Sequence, residues 1–236
     1  MKIVHLPKSV ALELTYRCNH KCKFCSCPWY APNSAYPKGD ELSVRDWTKA
    51  VDILYSKGVE SFSISGGEIL LKDGFETILR YIRLEGEKRG LDLPIVLISN
   101  ARKMTENLLH LFKELNVHLS MSLPGYETFQ EHTGIDNADG VLHWFQVAKS
   151  IGLKTTLNVT VTKKNYDELF QTISLGLING AEDVLLNRFL PGGRGLSYID
   201  ELSLLQNRLT EFDTAEEVLT MPINKGMLVQ KFQYVL

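Results

Sequence analysis

Short apolar runs rich in β-branched residues alternate along the chain with longer stretches in which apolar residues recur every three or four positions. Runs of the first kind are typical of buried strands, and stretches of the second kind are typical of amphipathic helices. The pattern predicts strands over residues 10–15, 61–65, 94–99, 118–123, 154–161 and 183–189. It predicts helices over residues 44–57, 74–88, 105–115, 140–151 and 166–178.

Capping residues support several of these helix boundaries. Ser43, followed three residues later by Asp46, resembles a capping box, and Asn165 is expected to cap the helix over residues 166–178. Four glycines follow predicted helices, where left-handed C-caps are common: Gly58, Gly90, Gly152 and Gly180.

The spacing of the elements predicts an α/β fold. Six strand–helix starts fall within residues 10–189, about 30 residues each, which is the size of a βαβ unit. Such alternation predicts a parallel sheet, either open and doubly wound or closed into a partial barrel. After the turn-rich residues 191–195 the pattern changes to helices over 201–209 and from Thr214, then a strand over 228–236. We therefore predict a core domain over residues 1–195 and a C-terminal extension over residues 196–236.

Composition and charge exclude several classes of function. The 236 residues carry a net charge of −2, which gives no indication of nucleic-acid binding. No apolar run is long enough for a membrane span or a signal peptide, so we expect no membrane partner and a cytoplasmic protein.

The four cysteines are the most informative residues of the chain. Cys18, Cys22, Cys25 and Cys27 all lie within ten residues, on the loop after the first predicted strand. Clustered thiols of this kind bind metal or carry redox chemistry, because a disulfide across so short a loop would stabilise little. Three closely spaced thiolates suit a cubane iron–sulfur cluster with one open iron. The alternative is a zinc site that takes its fourth ligand from Cys27, His20 or His5.

The spacing C-x3-C-x2-C, with Phe24 just before the last cysteine, resembles the signature of the radical S-adenosylmethionine (SAM) superfamily. Further motifs at predicted strand ends share the resemblance. Residues 66–68 resemble the family's G-G-E motif, and residues 99–100 resemble the polar end of its third strand. Residues 120–125 resemble its fourth-strand pattern, with Pro124 where an Asp is common.

This resemblance implies a partial parallel (β/α)6 barrel of the radical SAM type, in which Cys18, Cys22 and Cys25 hold a [4Fe–4S] cluster that cleaves SAM reductively. Glu68 would then bind the SAM ammonium group and Phe24 would stack on the adenine. Arg194 is a further candidate partner for an anion. The full set of residues implied to bind the cofactor is Phe24, Gly66, Gly67, Glu68, Ser99, Asn100, Ser122, Asn158 and Arg188.

Residues 159–165 and 187–195 resemble the subgroup with C-terminal SPASM or Twitch extensions, many members of which modify peptides. The chain departs from that subgroup because no cysteine follows Cys27, so it cannot bind an auxiliary cluster through thiolates. We therefore interpret residues 196–236 as a truncated segment of the SPASM or Twitch type; the alternative is an enzyme that works with one cluster. A peptide substrate and a reducing partner such as flavodoxin or ferredoxin are the expected partners besides SAM. Lys21 and Lys23 are expected to face solvent, where they would ease docking of an acidic donor. The rival functions are an electron-transfer or zinc-stabilised binding module without SAM chemistry, and a degenerate barrel that acts as a scaffold.

Overall fold

A computed structural model describes residues 7–36 and 39–204, and all six predicted strands are present in it. They are β1 (Ser9–Glu13), β2 (Ser61–Ser65), β3 (Ile95–Ser99), β4 (Val117–Ser122), β5 (Thr155–Val161) and β6 (Asp183–Arg188). The α-helices are α1 (Val44–Ser56), α2 (Phe75–Lys88), α3 (Glu106–Glu114), α4 (Phe129–Thr133), α5 (Ala138–Ser150), α6 (Leu169–Asn179) and α7 (Ile199–Leu202). Short 3-10 helices span Pro28–Tyr30, Ile69–Leu71 and Gly193–Tyr198.

The predicted N-cap of α1 is confirmed, because the Ser43 side chain accepts a hydrogen bond from the Asp46 backbone N–H. The predicted cap of α6 is wrong. This helix begins at Leu169, and the Asn165 amide instead binds the end of β5: its Oδ1 accepts from the Thr162 N–H (2.7 Å) and its Nδ2 donates to the Thr160 carbonyl (2.8 Å). Nδ2 also donates to the Pro124 carbonyl, which ties this segment to the loop after β4. The four glycine C-caps are confirmed by their positive φ angles: Gly58, Gly90, Gly152 and Gly180.

At the C-terminal end of the described chain, α7 spans Ile199–Leu202 and residues 203–204 are not helical, so the helix predicted over residues 201–209 is interrupted there. Residues 205–209 lie outside the described residues. The helix predicted from Thr214 and the strand predicted over residues 228–236 lie outside the described residues. The division of the chain at residue 195 stays a prediction.

The strand order separates the two architectures that the sequence left open. All six strands are parallel and pair in consecutive order from β1 to β6. A doubly wound sheet reverses its strand order at a switch point, whereas consecutive order with crossovers of one hand places every helix on the same face. The fold is therefore the predicted partial barrel, open between β1 and β6. Within residues 7–36 and 39–204, no helix has the length and apolar character needed to cross a lipid bilayer.

The two faces of the sheet differ in chemistry. Alternate strand residues point outward into one continuous core under the helices; its central members are Leu12, Ile64, Leu97, Leu119 and Leu157. A Cβ on Gly176 of α6 would lie 2.6 Å from Leu157 Cδ2, which shows how closely a helix approaches this face. The inner face instead carries many small polar side chains, and its carboxyl-terminal edge is where parallel barrels collect functional groups.

Candidate active site

The cysteine motif lies in the connection between β1 and α1, at the carboxyl-terminal edge of the sheet. Cys18, Cys22, Cys25 and Cys27 are all free thiols and partly buried. A turn forms within the motif, where the Cys25 N–H donates to the Cys22 carbonyl (3.2 Å). The motif therefore occupies a defined position beside the ends of the strands.

The short helix α4, which the hydrophobic pattern did not predict, supports one side of this loop. The backbone N–H of Lys21 donates to the Thr133 carbonyl (3.0 Å), and that of Lys23 donates to the His132 carbonyl (2.8 Å). His132 is buried, and its Nε2 lies 2.9 Å from Thr162 Oγ1. The Phe24 ring packs 5.9 Å from the His132 ring, so the predicted adenine-stacking residue is held from one side by α4.

The end of β2 fastens the loop from the other side. Gly67 N–H donates to the Thr15 carbonyl and Glu68 N–H donates to the Arg17 carbonyl, both at 2.7 Å. Side chains on the glycines would collide with this backbone: a Cβ on Gly67 would lie 2.2 Å from Arg17 O, and one on Gly66 would lie 2.7 Å from Thr15 O. The glycines thus permit close approach of the chain to itself, in addition to any approach to a ligand.

Glu68 is a buried carboxylate, 1% exposed, that links the ends of β2 and β3. Oε1 accepts from Ser99 Oγ (2.7 Å) and Leu70 N–H (3.1 Å). Oε2 accepts from Asn100 N–H (2.7 Å). Burial raises the pKa of Glu68, and these neutral donors only partly oppose that effect. A carboxylate offers about four acceptor sites, so roughly one remains for a cationic group.

Asn19, between the first two cysteines, extends this network and was not singled out from the sequence. Its Oδ1 accepts from Asn100 Nδ2 (2.8 Å), and its carbonyl accepts from Arg102 Nη1 (2.7 Å). Its Nδ2, like His20 Nε2, is buried without a hydrogen-bond partner in the described part of the chain. Buried polar atoms are rarely left unpaired, so these two atoms suit a site that receives a polar ligand.

A buried ion pair holds the base of the loop. Glu41 accepts hydrogen bonds from Thr15 Oγ1 (2.5 Å) and Tyr16 N–H (2.9 Å) through Oε1, while Lys72 Nζ lies 3.1 Å from Oε2. The Lys72 and Glu41 side chains are only 7% and 20% exposed. Burial alone would raise the pKa of Glu41, but the three donors outweigh it and hold that pKa below its usual value. Neither residue was predicted from the sequence, because 31 residues separate them.

The remaining predicted cofactor contacts lie along β4, β5 and β6. Ser122 and Asn158 are partners in the β4–β5 register, and Asn158 Oδ1 accepts from Asn187 Nδ2 (2.8 Å). Arg188 is exposed and pairs in register with Val161, a residue of the outer, buried face. The structure therefore brings Ser122 and Asn158 together on the inner face but does not bring Arg188 to that face with them.

The thiols differ in acidity. Burial raises the pKa of Cys18 and of Cys22, whereas a hydrogen bond with the Cys27 thiol lowers the pKa of Cys25. Cys27 Sγ also lies 4.0 Å from the Gly66 carbonyl oxygen. No group of three or more Cys, His, Asp or Glu side chains among the described residues is arranged around a single ion position. A set of three soft thiolates on one loop fits an iron–sulfur cluster, whose ligands bind different irons.

Lys23 does not face solvent freely as expected. Its Nζ lies 2.7 Å from Glu201 Oε1, and its side chain is 27% exposed. Lys164 Nζ lies 2.8 Å from Glu131 Oε1, which extends the charged network to α4. The Lys23–Glu201 ion pair ties α7, at the C-terminal end of the described chain, to the cysteine loop near its N-terminal end.

Comparison with known proteins is consistent with this site. The sequence profile of the Radical SAM superfamily matches residues 12–176. The chain is 29% identical over 197 residues to the AdoMet-dependent heme synthase of Methanosarcina barkeri, covering 82% of the chain and 54% of the relative. It is 26% identical over 211 residues to a probable GTP 3',8-cyclase of Sulfurisphaera tokodaii, covering 86% of the chain and 64% of the relative. The chain thus spans between a little over half and nearly two thirds of the length of these relatives.

Solved structures share the fold at low sequence identity. Streptococcus suis SuiB bound to S-adenosylmethionine superposes with a TM-score of 0.74 at 16% identity, covering 97% of the chain and 52% of SuiB. SuiB bound to its precursor peptide SuiA gives a TM-score of 0.72, with coverage of 97% and 50%. The family uses a [4Fe–4S] cluster and SAM as cofactors, and the thiols, the buried Glu68 carboxylate and the unpaired atoms of Asn19 and His20 fit that use. From the profile match, which covers most of the described residues, the chain belongs to the radical SAM superfamily.

Proposed function

We propose that this chain is the catalytic core of a radical SAM enzyme that abstracts hydrogen from a peptide. The observation that carries the proposal is the attachment of the loop that bears the three thiols. Its backbone is bonded to Gly67 and Glu68, and Asn19 and Glu68 both bond Asn100 at the end of β3. Cys18, Cys22 and Cys25 would hold the cluster there. A cluster held there, together with SAM, would supply the radical chemistry: one electron from an external donor such as flavodoxin or ferredoxin would cleave a carbon–sulfur bond of SAM to methionine and a 5'-deoxyadenosyl radical.

The residues of the chain orient and shield that chemistry. Glu68 retains about one free acceptor site for the ammonium group of SAM, and its burial strengthens such a charge-assisted bond. Asn19 Nδ2 offers an unused donor in the same network. Phe24, Ser99, Ser122 and Asn158 complete the proposed cofactor contacts along the strand ends. Arg188, which lies on the other face, would contact the cofactor only from the rim of the barrel.

The chemistry of the inner face favours a peptide substrate over a nucleoside triphosphate. By strand alternation the polar residues of this face are serines, threonines and asparagines, together with Glu13, His118 and Asp183, and no strand residue on it is Lys or Arg. A polyphosphate is recognised by Arg, Lys or a metal. Glu13 ends β1 at the carboxyl-terminal edge of the sheet, where its carboxylate would repel a polyphosphate. The relatives include probable GTP cyclases, whereas SuiB, whose fold is shared, binds the peptide SuiA.

Product analysis tests this function. Reconstituted protein, SAM and dithionite are incubated without oxygen, and 5'-deoxyadenosine is measured with no addition, with GTP, and with a mixture of synthetic linear peptides. We expect slow release with SAM alone, an increase with peptide and no increase with GTP. Cys22→Ala should abolish release, while Cys27→Ser, which keeps all three proposed ligands, should retain it. Release that responds to GTP and not to peptide would contradict the substrate class.

A further inference from the structure

The segment that follows β6 packs directly on the cysteine loop. Gly195 N–H donates to the Cys25 carbonyl (3.2 Å). A Cβ on Gly193 would lie 2.3 Å from the Cys27 carbonyl oxygen and 2.6 Å from that of Cys25, and the φ angle of this glycine is +49°. A side chain at residue 193 would therefore separate the two segments. The glycines of this segment serve to bring its backbone against the backbone of the cysteine motif.

Arg194 lies between these two glycines and contacts the motif through its side chain. Its Nη1 donates to the Cys22 carbonyl (3.1 Å), and its guanidinium carbon lies 4.6 Å from the centre of the Tyr30 ring. The side chain is partly buried, so the charge is less screened than on an open surface. Two contacts of different kinds thus fix a positive charge beside the central cysteine of the motif.

The sign of this charge matters because two carboxylates act on the same thiols with the opposite sign. The Glu68 carboxylate is buried and adds negative potential at Cys18, and Glu13 adds negative potential at Cys25. Arg194 acts in the opposite direction on Cys18, Cys22 and Cys25. Reduction adds one negative charge to a cluster, and the potential of an iron–sulfur cluster depends on nearby charge, hydrogen bonds and solvent exposure.

We propose that Arg194 is a positioning residue for the cluster: it holds the Cys22–Cys25 turn through the Cys22 carbonyl and stabilises the reduced cluster with its charge. This inference rests on the proposed function, since it assumes a cluster on the three cysteines. It assigns to the glycine-rich segment after β6 a role in the first step of the reaction, acceptance of the electron.

A redox titration followed by EPR, on the full chain reconstituted with iron and sulfide and without SAM, tests the proposal. Arg194→Gln removes the charge but keeps a hydrogen-bond donor. We expect the ratio of reduced to oxidised cluster at a fixed potential to fall about tenfold, which corresponds to a midpoint potential about 59 mV lower for a one-electron couple. Arg194→Lys should shift the potential in the same direction by a smaller amount, because an ammonium cannot keep the planar contact with Tyr30 while it donates to the carbonyl.

The matched control is Arg80→Gln on α2, which removes the same charge from an exposed ion pair with Glu114 of α3 and should leave the potential unchanged. An unchanged potential in Arg194→Gln with full iron content would overturn the proposal, as would equal shifts in the Gln and Lys variants. If Arg194→Gln does not retain iron, Arg194→Lys decides: a potential lowered by the full shift of about 59 mV, although the charge is kept, overturns the proposal. Failure of the wild-type chain to form a cluster would instead refute the proposed function.

Discussion

Replacing Gly67 with alanine probes the attachment of the cysteine loop to the end of β2. The new Cβ would lie 2.2 Å from the Arg17 carbonyl oxygen and 2.9 Å from that of Tyr16, whereas real Cβ contacts essentially never fall below 3.0 Å. The two segments must therefore separate locally by about 1 Å. That movement stretches the hydrogen bonds from Gly67 N–H to Thr15 and from Glu68 N–H to Arg17, both 2.7 Å long.

The expected cost follows from these contacts. Each weakened hydrogen bond contributes about 1 kcal/mol, and forcing an extra carbon into a packed site costs roughly 1–3 kcal/mol. We therefore expect Gly67→Ala to lower the free energy of unfolding by about 3–5 kcal/mol. For a domain of this size that corresponds to a fall in Tm of roughly 6–20 °C. Because the altered contact lies at the foot of the motif, iron binding after reconstitution should fall as well.

Urea and thermal unfolding of the metal-free chain, together with iron content after reconstitution, measure both effects. Gly39→Ala is the matched control, since a Cβ there would meet nothing within 4 Å, and its effect should stay within about 0.5 kcal/mol. If Gly67→Ala were as stable as Gly39→Ala and bound as much iron, the close approach of the β2 end to the cysteine loop would be refuted.

Two further predictions concern stability. Glu41→Gln should lower the free energy of unfolding in urea by about 3 kcal/mol, the low end for breaking a buried ion pair because Glu41 is 20% exposed. A Glu41→Gln, Lys72→Met double variant should recover part of that loss. A Glu41→Gln variant as stable as wild type would refute the role of the pair. Burial, then the charge of Arg102, lowers the pKa of His20 to about 4. His20 therefore binds a proton more tightly in the unfolded chain, so the free energy of unfolding should fall as the pH drops from about 6.5 towards 4. The fall should be steeper than in His20→Gln. Equal pH dependence of stability in the two proteins would contradict the burial of His20.

Much of the fold follows from local pattern. The alternation of β-branched runs with amphipathic stretches predicted all six strands, because each strand has one face in a continuous core. Helix α4 was not predicted, because five residues are too few to show helical periodicity. Its start depends on a distant residue, since Glu168 accepts hydrogen bonds from the Glu127 N–H (2.7 Å) and the Thr128 N–H (3.2 Å).

The sequence predicted the chemical groups of the candidate site better than the residues that hold those groups in place. The three cysteines and Glu68 stood out because their residue types and spacing resemble a known motif. The partners that hold them did not, since Asn19 and Glu41 act through contacts that only the folded chain creates. Arg194 was predicted to pair with an anion, and its contact with the Cys22 carbonyl likewise needs the fold. The glycines at residues 66 and 67 were expected to admit a ligand, and their contacts with residues 15–17 became visible only once β1 and β2 were paired.

EPR of the reconstituted, dithionite-reduced protein with and without SAM tests the central claim most directly. We predict a [4Fe–4S]+ signal that changes when SAM is added, because SAM would bind the iron that the three thiolates leave open. The signal should be absent from Cys22→Ala and present in Cys27→Ser. A wild-type protein that forms no cluster, or a cluster signal that SAM leaves unchanged, would contradict the proposed chemistry and return the cysteines to zinc binding or simple electron transfer.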